Sequence, residues 1–423
     1  MGLRIFMILI LLFGWAHEAS SAGAILVDTD MTGNPVLWKD GIVHYSLESG
    51  EEARLGTLSN LEAAQLVRDL FDQWVNTSMN GVKVTNLQAI EGAGLGSVDV
   101  SNMNEHFSYC PPGDVCPGEE SPFIVGGARK GVTPILFDND GSMTDAVHGV
   151  GASRSILGFA GPRVVDRVDG VLTIIEGQAI LNGRFIDGIK SNGDPEVSID
   201  AFKGAIFHEL GHLIGLDHTQ VNLASANKYL QGDTSEKEAI PTMFPIFIDG
   251  EAQLTPHFDD KVAIASLYPS KDFSDGFCSL KGVVLQQDTV GLQGVNVVAK
   301  DLEDPLMQST SFVSGAYYKG SSKDCKAHEG NFILKGLIPG RTYTLAIEAI
   351  SSAFAGGSSI EPCDPPQKGF ESKTLPGSFS CSSGAQVIET GTESTTTIVT
   401  TKKVSTSSSG SSSDGASGCS LIP

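Results

Sequence analysis

The stretch Phe207–Thr219, FHELGHLIGLDHT, decides how the rest of this 423-residue chain is interpreted. His208 and His212 are four residues apart and, on a helix, lie on one face, where two imidazoles can bind one metal ion. Gly215 lets the backbone leave the helix in a conformation that other residues disfavour. His218 can then return to the same metal as a third ligand.

Three protein ligands leave the fourth position of a tetrahedral zinc for water, which is the arrangement of a catalytic site. Glu209 follows the first ligand and can reach that water as a general base. The alternative is three incidental histidines near a core helix. With 9 His and 49 Gly among 423 residues, HExxHxxGxxH arises by chance on the order of once in 10⁴–10⁵ such chains. The pattern therefore predicts catalytic Zn²⁺ bound by His208, His212 and His218.

The same residues resemble the defining motif of the metzincin metallopeptidases. That family has a methionine turn beneath the zinc, and the resemblance implies this role for Met243 in PTMFP; ordinary core packing is the alternative. Pro245 stands where astacins and serralysins have a tyrosine that can ligate zinc, so that ligand is not expected. The resemblance implies an α+β fold, a twisted mixed sheet with helices, and zinc-dependent hydrolysis of internal peptide bonds.

Within the metzincins the chain is most similar to the matrixins, over residues 36–270 with an atypical stretch at 97–195. LTPHFDDKVAIASLYP, Leu254–Pro269, resembles their last helix. In matrixins a pair of aspartates supports the methionine turn and can anchor the mature N-terminus, and the pair here would be Asp259 and Asp260. Exposed charges or an N-terminal helix cap are the alternatives.

Composition divides the chain into four parts, of which the first is a predicted signal peptide at residues 1–22. Arg4 precedes the apolar run Ile5–Ala16, and small residues fit a cleavage site after Ala22. An uncleaved anchor helix is the alternative, but the run is short for a membrane span. Export makes disulfide bonds the expected state of the seven cysteines.

The catalytic domain is predicted at residues 23–272. Ser59 and Glu62 form a capping box before apolar residues at helical spacing, which predicts a helix at 59–76. GVLTIIEGQAILNGRFID, Gly170–Asp187, has the pattern of a β-hairpin.

A small β-sandwich is predicted at residues 276–388, because short β segments alternate with Gly and Pro turns. GLQGVNVVA and NFILKGLIPGRTYTLAI resemble carboxypeptidase regulatory-like modules. The junction Ser270–Gly276 is predicted to be an exposed linker with few crossing contacts, so that the catalytic domain folds without the sandwich. Residues 389–423 are Ser/Thr/Gly-rich and predict a disordered tail.

The net charge is −22, from 50 acidic and 28 basic residues without a Lys/Arg cluster, which argues against a nucleic-acid partner. No transmembrane span is expected in the mature chain. The predicted partner is a protein or peptide substrate met outside the cell or at its surface. Gly418 and Cys419 are similar to the start of bacterial sorting segments, so attachment to the cell surface through the tail is one hypothesis and an incidental thiol is the other.

A weaker pattern is FDNDGSMTD, Phe137–Asp145, where Asp138, Asp140 and Asp145 surround Gly141. Spaced oxygen ligands at a glycine turn suit Ca²⁺. An Asp-Gly turn that caps itself explains the pattern equally well. His148, which follows, is interpreted as a surface or hydrogen-bonded histidine rather than as a second zinc ligand.

Two other functions compete with the endopeptidase. One is a secreted adhesion or binding protein that keeps the zinc fold without activity, and the presence of Glu209 argues against it. The other is a zinc amidase acting on cell-wall or other non-protein amides, which activity on casein or on peptidoglycan would separate from a peptidase.

Overall fold

The computed structural model describes residues 23–28, 32–109, 131–189, 196–286, 290–317, 330–350 and 372–381, with strand residues 124–125, 386–393, 396–402 and 419–422. The protein is a mixed α/β structure, consistent with the α+β class predicted from sequence. The predicted signal peptide and four cysteines lie outside the described residues: Cys110, Cys116, Cys325 and Cys363. Cys278 is disulfide-bonded.

The described residues form six α-helices: α1 (Asn60–Val75), α2 (Ser142–His148), α3 (Ile199–Leu213), α4 (Leu223–Leu230), α5 (Phe258–Leu267) and α6 (Lys271–Gly276). Nine strands precede α3: β1 (Leu37–Trp38), β2 (Ile42–Leu47), β3 (Ser78–Met79), β4 (Val82–Lys83), β5 (Gln88–Glu91), β6 (Ile124–Val125), β7 (Pro134–Asp138), β8 (Gly158–Val168) and β9 (Val171–Asn182). Short 3-10 turns lie at Lys39–Gly41, Met103–Glu105, Ala152–Arg154, Gly183–Ile186 and Lys237–Ala239.

The first sheet has the strand order β5-β2-β7-β9-β8-β6, with β1 also paired to β9. Only the β8/β9 pair is antiparallel among these described pairings. Helix α3 packs against β8 and β9, and α1 packs on α3 as well as on β5. The HExxH part of the motif, His208 to His212, therefore lies on a helix held between another helix and the centre of a sheet.

Helix α1 begins where the sequence predicts it. The Ser59 side chain accepts a hydrogen bond from the Glu62 amide, and the Glu62 carboxylate accepts one from the Ser59 amide, which completes the capping box. Near the other end, the Trp74 indole donates to the Phe207 carbonyl at 3.1 Å and stacks on the Phe207 ring. Helix α1 thus supports the segment just before the first histidine.

The hairpin predicted at Gly170–Asp187 is wrong. Most of that stretch is one strand, β9, which pairs with β8 through a turn at Asp169 and Gly170, both with positive φ. Such Asp-Gly turns match the twist of two antiparallel strands. Gly177 lies within β9, where a side chain would overlap Leu213 and the Gly161 carbonyl.

The remaining strands follow α6: β10 (Cys278–Gln286), β11 (Val290–Gly291), β12 (Asn296–Asp301), β13 (Ser309–Val313), β14 (Asn331–Leu337), β15 (Thr342–Glu348), β16 (Lys373–Thr374), β17 (Ser378–Cys381), β18 (Gln386–Glu393), β19 (Thr396–Lys402) and β20 (Cys419–Ile422). One sheet has the order β11-β10-β18-β19 with β14 on β10, and the other β13-β12-β15-β17-β20 with β16 on β15. Strands β10–β17 are called the second β unit below.

Strands β19 and β20 differ from the prediction of a disordered tail at 389–423, of which residues 394–395, 403–418 and 423 lie outside the described residues. Thr396–Lys402 pairs antiparallel with β18, and Cys419–Ile422 with β17. The sequence TTIVTTK is rich in β-branched residues, which favour strands. A bias towards Ser, Thr and Gly hid that local preference.

The junction Ser270–Gly276 is exposed at five of its seven residues, as predicted, but the expectation of few crossing contacts is wrong. This segment is helix α6, capped by the Ser270 side chain. Its Phe273, and Phe277 after it, belong to one buried cluster with members on both sides of the junction: Met79, Val84, Phe258, Val262, Ala265 and Ile338. Phe273 and Phe277 are buried because residues that precede the junction and Ile338, which follows it, pack on them. The sequence does not reveal these partners.

Candidate metal centre

Helix α3 carries the first two histidines and ends in a defined turn. Ser198 caps its start by accepting from the Ala201 amide at 3.2 Å. At its end Gly215 has φ +103°, the Gly215 amide donates to His212 O and the Leu216 amide donates to Gly211 O. These are the two bonds of a Schellman motif, which glycine permits because it has no side chain.

Two side chains from distant segments satisfy the last carbonyls of this helix. The Trp38 indole donates to Leu213 O at 2.8 Å, and the Tyr268 hydroxyl donates to Ile214 O at 2.7 Å. Helix ends leave such carbonyls without partners inside the helix. The turn that leads to His218 is therefore held on both sides.

The three histidines converge. The distances between ring centroids are 4.7 Å for His208–His212, 5.1 Å for His208–His218 and 4.6 Å for His212–His218. One ligand atom from each ring lies within 4.8 Å of the others. The Nε2 atoms of His212 and His218 are 3.1 Å apart, close to the roughly 3.3 Å expected between two nitrogens on a tetrahedral zinc with Zn–N of about 2.0–2.1 Å.

Backbone carbonyls fix which ring nitrogens face the centre. His208 Nδ1 is 2.7 Å from Thr242 O, and His212 Nδ1 is 2.8 Å from Leu216 O. A carbonyl only accepts, so each Nδ1 carries the proton and each Nε2 presents a lone pair. His208 Nε2 is buried and has no hydrogen-bond partner among the described residues. A cation bound between the rings would satisfy these nitrogens, so the donor set fits a metal.

Burial keeps the rings neutral, which is the form that binds metal. It lowers the pKa of His208 to about 4, and burial together with the neighbouring His208 lowers the pKa of His212 to about 3. Burial and both neighbouring histidines hold the pKa of His218 well below its usual value. Metal binding at neutral pH would therefore displace no proton from these imidazoles.

Glu209 lies beside the triad and is almost completely buried, with 1% of its surface exposed. Its Oε2 accepts a hydrogen bond from the Ala160 amide at 3.0 Å. Burial raises the pKa of Glu209 to about 8, while the Ala160 amide lowers it. A divalent cation nearby would favour the carboxylate form. The backbone amide of Ala160 in β8 thus orients the only acidic side chain of the HExxH motif.

Met243 lies under α3, fully buried. A side chain at Gly211, between the first two histidines, would clash with the Met243 sulfur. The Thr242 carbonyl accepts from His208, and the Met243 carbonyl accepts from the Thr219 amide at 2.9 Å. This turn therefore contacts the segments that carry the first and third histidines.

Asp260 supports that turn from below. Its carboxylate accepts from the amides of Thr242 at 3.0 Å, Met243 at 3.2 Å and His257 at 2.8 Å. Its burial raises its pKa to about 6 although all three amides lower it. The bond to the His257 amide caps the start of α5. Asp260 therefore both caps this helix and supports the turn, two roles that the sequence analysis gave as alternatives.

Asp259 makes different contacts. Its carboxylate accepts from the Thr219 hydroxyl, and from the Ser311 amide at 2.7 Å. It is 2% exposed, which excludes an exposed charge. The first described residues of the chain bond elsewhere, since Gly23 O accepts from the Asp217 amide and the Ala24 amide donates to the Tyr317 hydroxyl.

The three aspartates proposed for calcium are not brought together. Asp138 accepts from the amides of Met143 and Thr144, Asp140 from Ser142, and Asp145 from Ser153. Among the His, Cys, Asp and Glu side chains that the structure describes, the histidine triad is the one group of three close enough to share an ion. The aspartates accept hydrogen bonds within their own turns and from α2, and the calcium site stays a prediction.

His148 is partly buried rather than on the surface. Its ring meets Phe159 edge to face at 4.5 Å between centroids, and its buried Nε2 has no hydrogen-bond partner among the described residues. Burial lowers the pKa of His148 to about 4. It is therefore a neutral ring in an apolar contact.

The sequence did not point to several residues that shape the site: Trp38, Ala160, Tyr268 and Ser311. Ala160 and Ser311 act through backbone amides, which leave no signal in residue type. Tyr268 and Trp38 are aromatic residues of ordinary core type, and only the structure shows their polar atoms at the helix end.

No family model, curated protein or solved structure matches the chain. Within the described residues, no helix combines the length and the apolar character needed to cross a membrane. The functional assignment therefore depends on the local chemistry of the histidine triad and its neighbours.

Proposed function

We propose that this chain is a secreted, metzincin-type zinc endopeptidase, similar to the matrixins, that hydrolyses internal peptide bonds. The observation that carries the proposal is the convergence of three neutral imidazoles, two of them with Nδ1 held by backbone carbonyls, next to a buried glutamate. Such a triad leaves one zinc position for water. Export rests on the N-terminal sequence pattern.

Each residue of the site has a separate part in the proposed reaction. Bound zinc would polarise the scissile carbonyl and acidify a water molecule. Glu209 would take the proton of that water as it attacks, and then deliver it to the nitrogen of the leaving amine. The Ala160 amide orients the Glu209 carboxylate through its 3.0 Å hydrogen bond. Met243 and Asp260 keep the floor of the site in place.

One observation favours the second candidate, a secreted binding protein that retains the zinc fold. His208, His212, His218 and Glu209 are each at most 3% exposed. A protein substrate would have to contact side chains that are almost completely covered, whereas a binding protein would not need to contact them.

A cleavage assay separates the candidates. Zinc-loaded protein is incubated with a peptide library, casein and peptidoglycan, with Glu209→Ala as the matched control. The endopeptidase predicts Glu209-dependent cleavage inside peptides and casein. Activity on peptidoglycan alone would indicate an amidase, and no activity on any of the three would favour the binding protein.

A further inference from the structure

The segment that leaves the metal centre, Thr219–Asn222, is bound by the second β unit; we call it the exit segment. It follows His218 directly. The Asn296 side chain donates to Gln220 O at 3.3 Å, and the Asn222 side chain donates to Leu306 O at 2.8 Å. Polar contacts therefore join the exit segment to β12 and to the loop that follows it.

Apolar packing joins the same two parts. Val221 forms a fully buried cluster with Val298 of β12 and Ala346 of β15. Val298 and Ala346 are cross-strand neighbours, and Ser311 of β13 pairs with Val298 from the other side. The face formed by these three neighbouring strands covers the exit segment.

Asp259 completes the connection. One carboxylate oxygen accepts from the Thr219 hydroxyl, and the other from the Ser311 amide at 2.7 Å. Because both partners are fixed by one buried carboxylate, the position of Thr219 depends on β13. Thr219 also donates its amide to the Met243 carbonyl. The residue after the third histidine is thus clamped between the methionine turn and the second β unit.

We propose that the second β unit is a positioning element of the metal centre, which holds His218 in place through the exit segment and Asp259. The inference rests on the proposed zinc site and adds residues that do not touch the metal. Groups that orient metal ligands typically contribute 10–100-fold to metal affinity. Removing this hold should therefore weaken zinc binding without removing a ligand.

Strand β12 offers a matched pair of variants. Successive residues of a strand point to opposite faces. Val298 faces Val221, whereas Val297 lies in the core of the second β unit itself, and both are 0% exposed. Val298→Ala and Val297→Ala remove the same atoms from neighbouring buried positions, but only the first touches the exit segment.

The test uses the full-length chain, with zinc affinity measured by competition with a chelator and ligand geometry measured by the visible spectrum of the cobalt-substituted protein. Asp259→Ala should weaken zinc binding by roughly 10–100-fold and shift the cobalt bands. Asp259→Asn, which keeps an acceptor for Ser311, should recover part of the loss. Val298→Ala should weaken zinc binding and shift the bands to a smaller extent, and Val297→Ala should change neither.

Wild-type affinity and spectrum in both Asp259→Ala and Val298→Ala would overturn the inference. Equal losses in Val297→Ala and Val298→Ala would also overturn it, because they would show a general effect on stability. Should Asp259→Ala fail to fold, the two valine variants still decide. A wild-type chain that binds neither zinc nor cobalt would instead overturn the proposed function, and this inference with it.

Discussion

The histidine motif and the second β unit both shape the proposed metal centre, but they contact it in different ways. The proposed ligands come from one short segment, His208 to His218, whose geometry is set by helix α3 and the turn at Gly215. The second β unit reaches the same place across 76 positions from Asn296 to Gln220, and 52 from Ser311 to Asp259. Ligand identity is therefore local, whereas the support of the third ligand is long-range.

Removing one of the three histidines should have the largest effect on zinc binding. His212→Ala removes one of three nitrogens, so the purified variant should contain no tightly bound zinc. His44→Ala, at an exposed histidine, is the control and should keep about one zinc per chain. Elemental analysis decides the matter, and full occupancy in His212→Ala would show that the triad is not the metal site.

Removing the second β unit should have the next largest effect, on folding and on zinc binding. A chain ending at Asp275 lacks Ile338, Val298 and Ser311, so it exposes the apolar surface around Phe258 and leaves Val221 uncovered. We expect this chain to be insoluble or to lose cooperative unfolding and zinc. Zinc content, thermal unfolding and small-peptide turnover are compared with the full-length chain. A soluble, zinc-loaded and fully active fragment would make the second β unit dispensable.

A substitution at Asp260 tests the turn at Thr242 and Met243, which contacts the segments that carry the first and third histidines. Asp260→Ala leaves two buried amides, those of Thr242 and Met243, and the partly buried His257 amide without their acceptor. Buried unsatisfied donors cost about 1–3 kcal/mol each, so the free energy of unfolding should fall by at least about 2 kcal/mol. Urea unfolding measures it. A loss below about 1 kcal/mol would mean that the turn holds without this carboxylate.

His148 belongs neither to the histidine motif nor to the second β unit. Its substitution should have the smallest effect, on the pH dependence of stability. Burial lowers its folded pKa to about 4, so between that value and the ordinary 6.5 the unfolded chain binds more protons. Its contribution to stability is complete above about pH 6.5 and is lost as the pH falls. His148→Phe keeps the ring contact with Phe159 and should gain up to about 1 kcal/mol relative to wild type between about pH 7 and pH 5.5. Urea unfolding curves with identical pH slopes in both proteins would contradict this.

The sequence predicted features that depend on neighbours along the chain. The capping box of Ser59 and Glu62 follows from local hydrogen bonding, and the use of Gly215 follows from its backbone freedom. The hairpin was predicted to begin at Gly170, whereas the turn lies at Asp169–Gly170, before β9. Gly177 lies inside β9. Because Gly177 has no side chain, Leu213 can pack closely against the strand at this position.

Features that depend on distant partners were not predictable. In VNVVA, Val295–Ala299, apolar residues fall on both faces of β12, a pattern expected of a strand buried on both sides. That pattern indicates that a second surface covers β12, which argues against a sandwich that folds by itself. It does not show which surface this is. The aspartates at 138, 140 and 145 show the reverse, since side chains in a metal-like pattern make hydrogen bonds with residues close to them in the sequence.

The central claim is that the triad and Glu209 together form a catalytic zinc site. The most direct measurement is mass spectrometry of casein fragments produced by zinc-loaded wild type, by the metal-free protein before and after zinc is restored, and by zinc-loaded Glu209→Gln. We predict internal cleavage by the two zinc-loaded wild-type samples, and a rate at least roughly 10²–10⁴-fold lower for Glu209→Gln with its zinc retained. Equal fragment yields from the metal-free protein or from Glu209→Gln would contradict the claim.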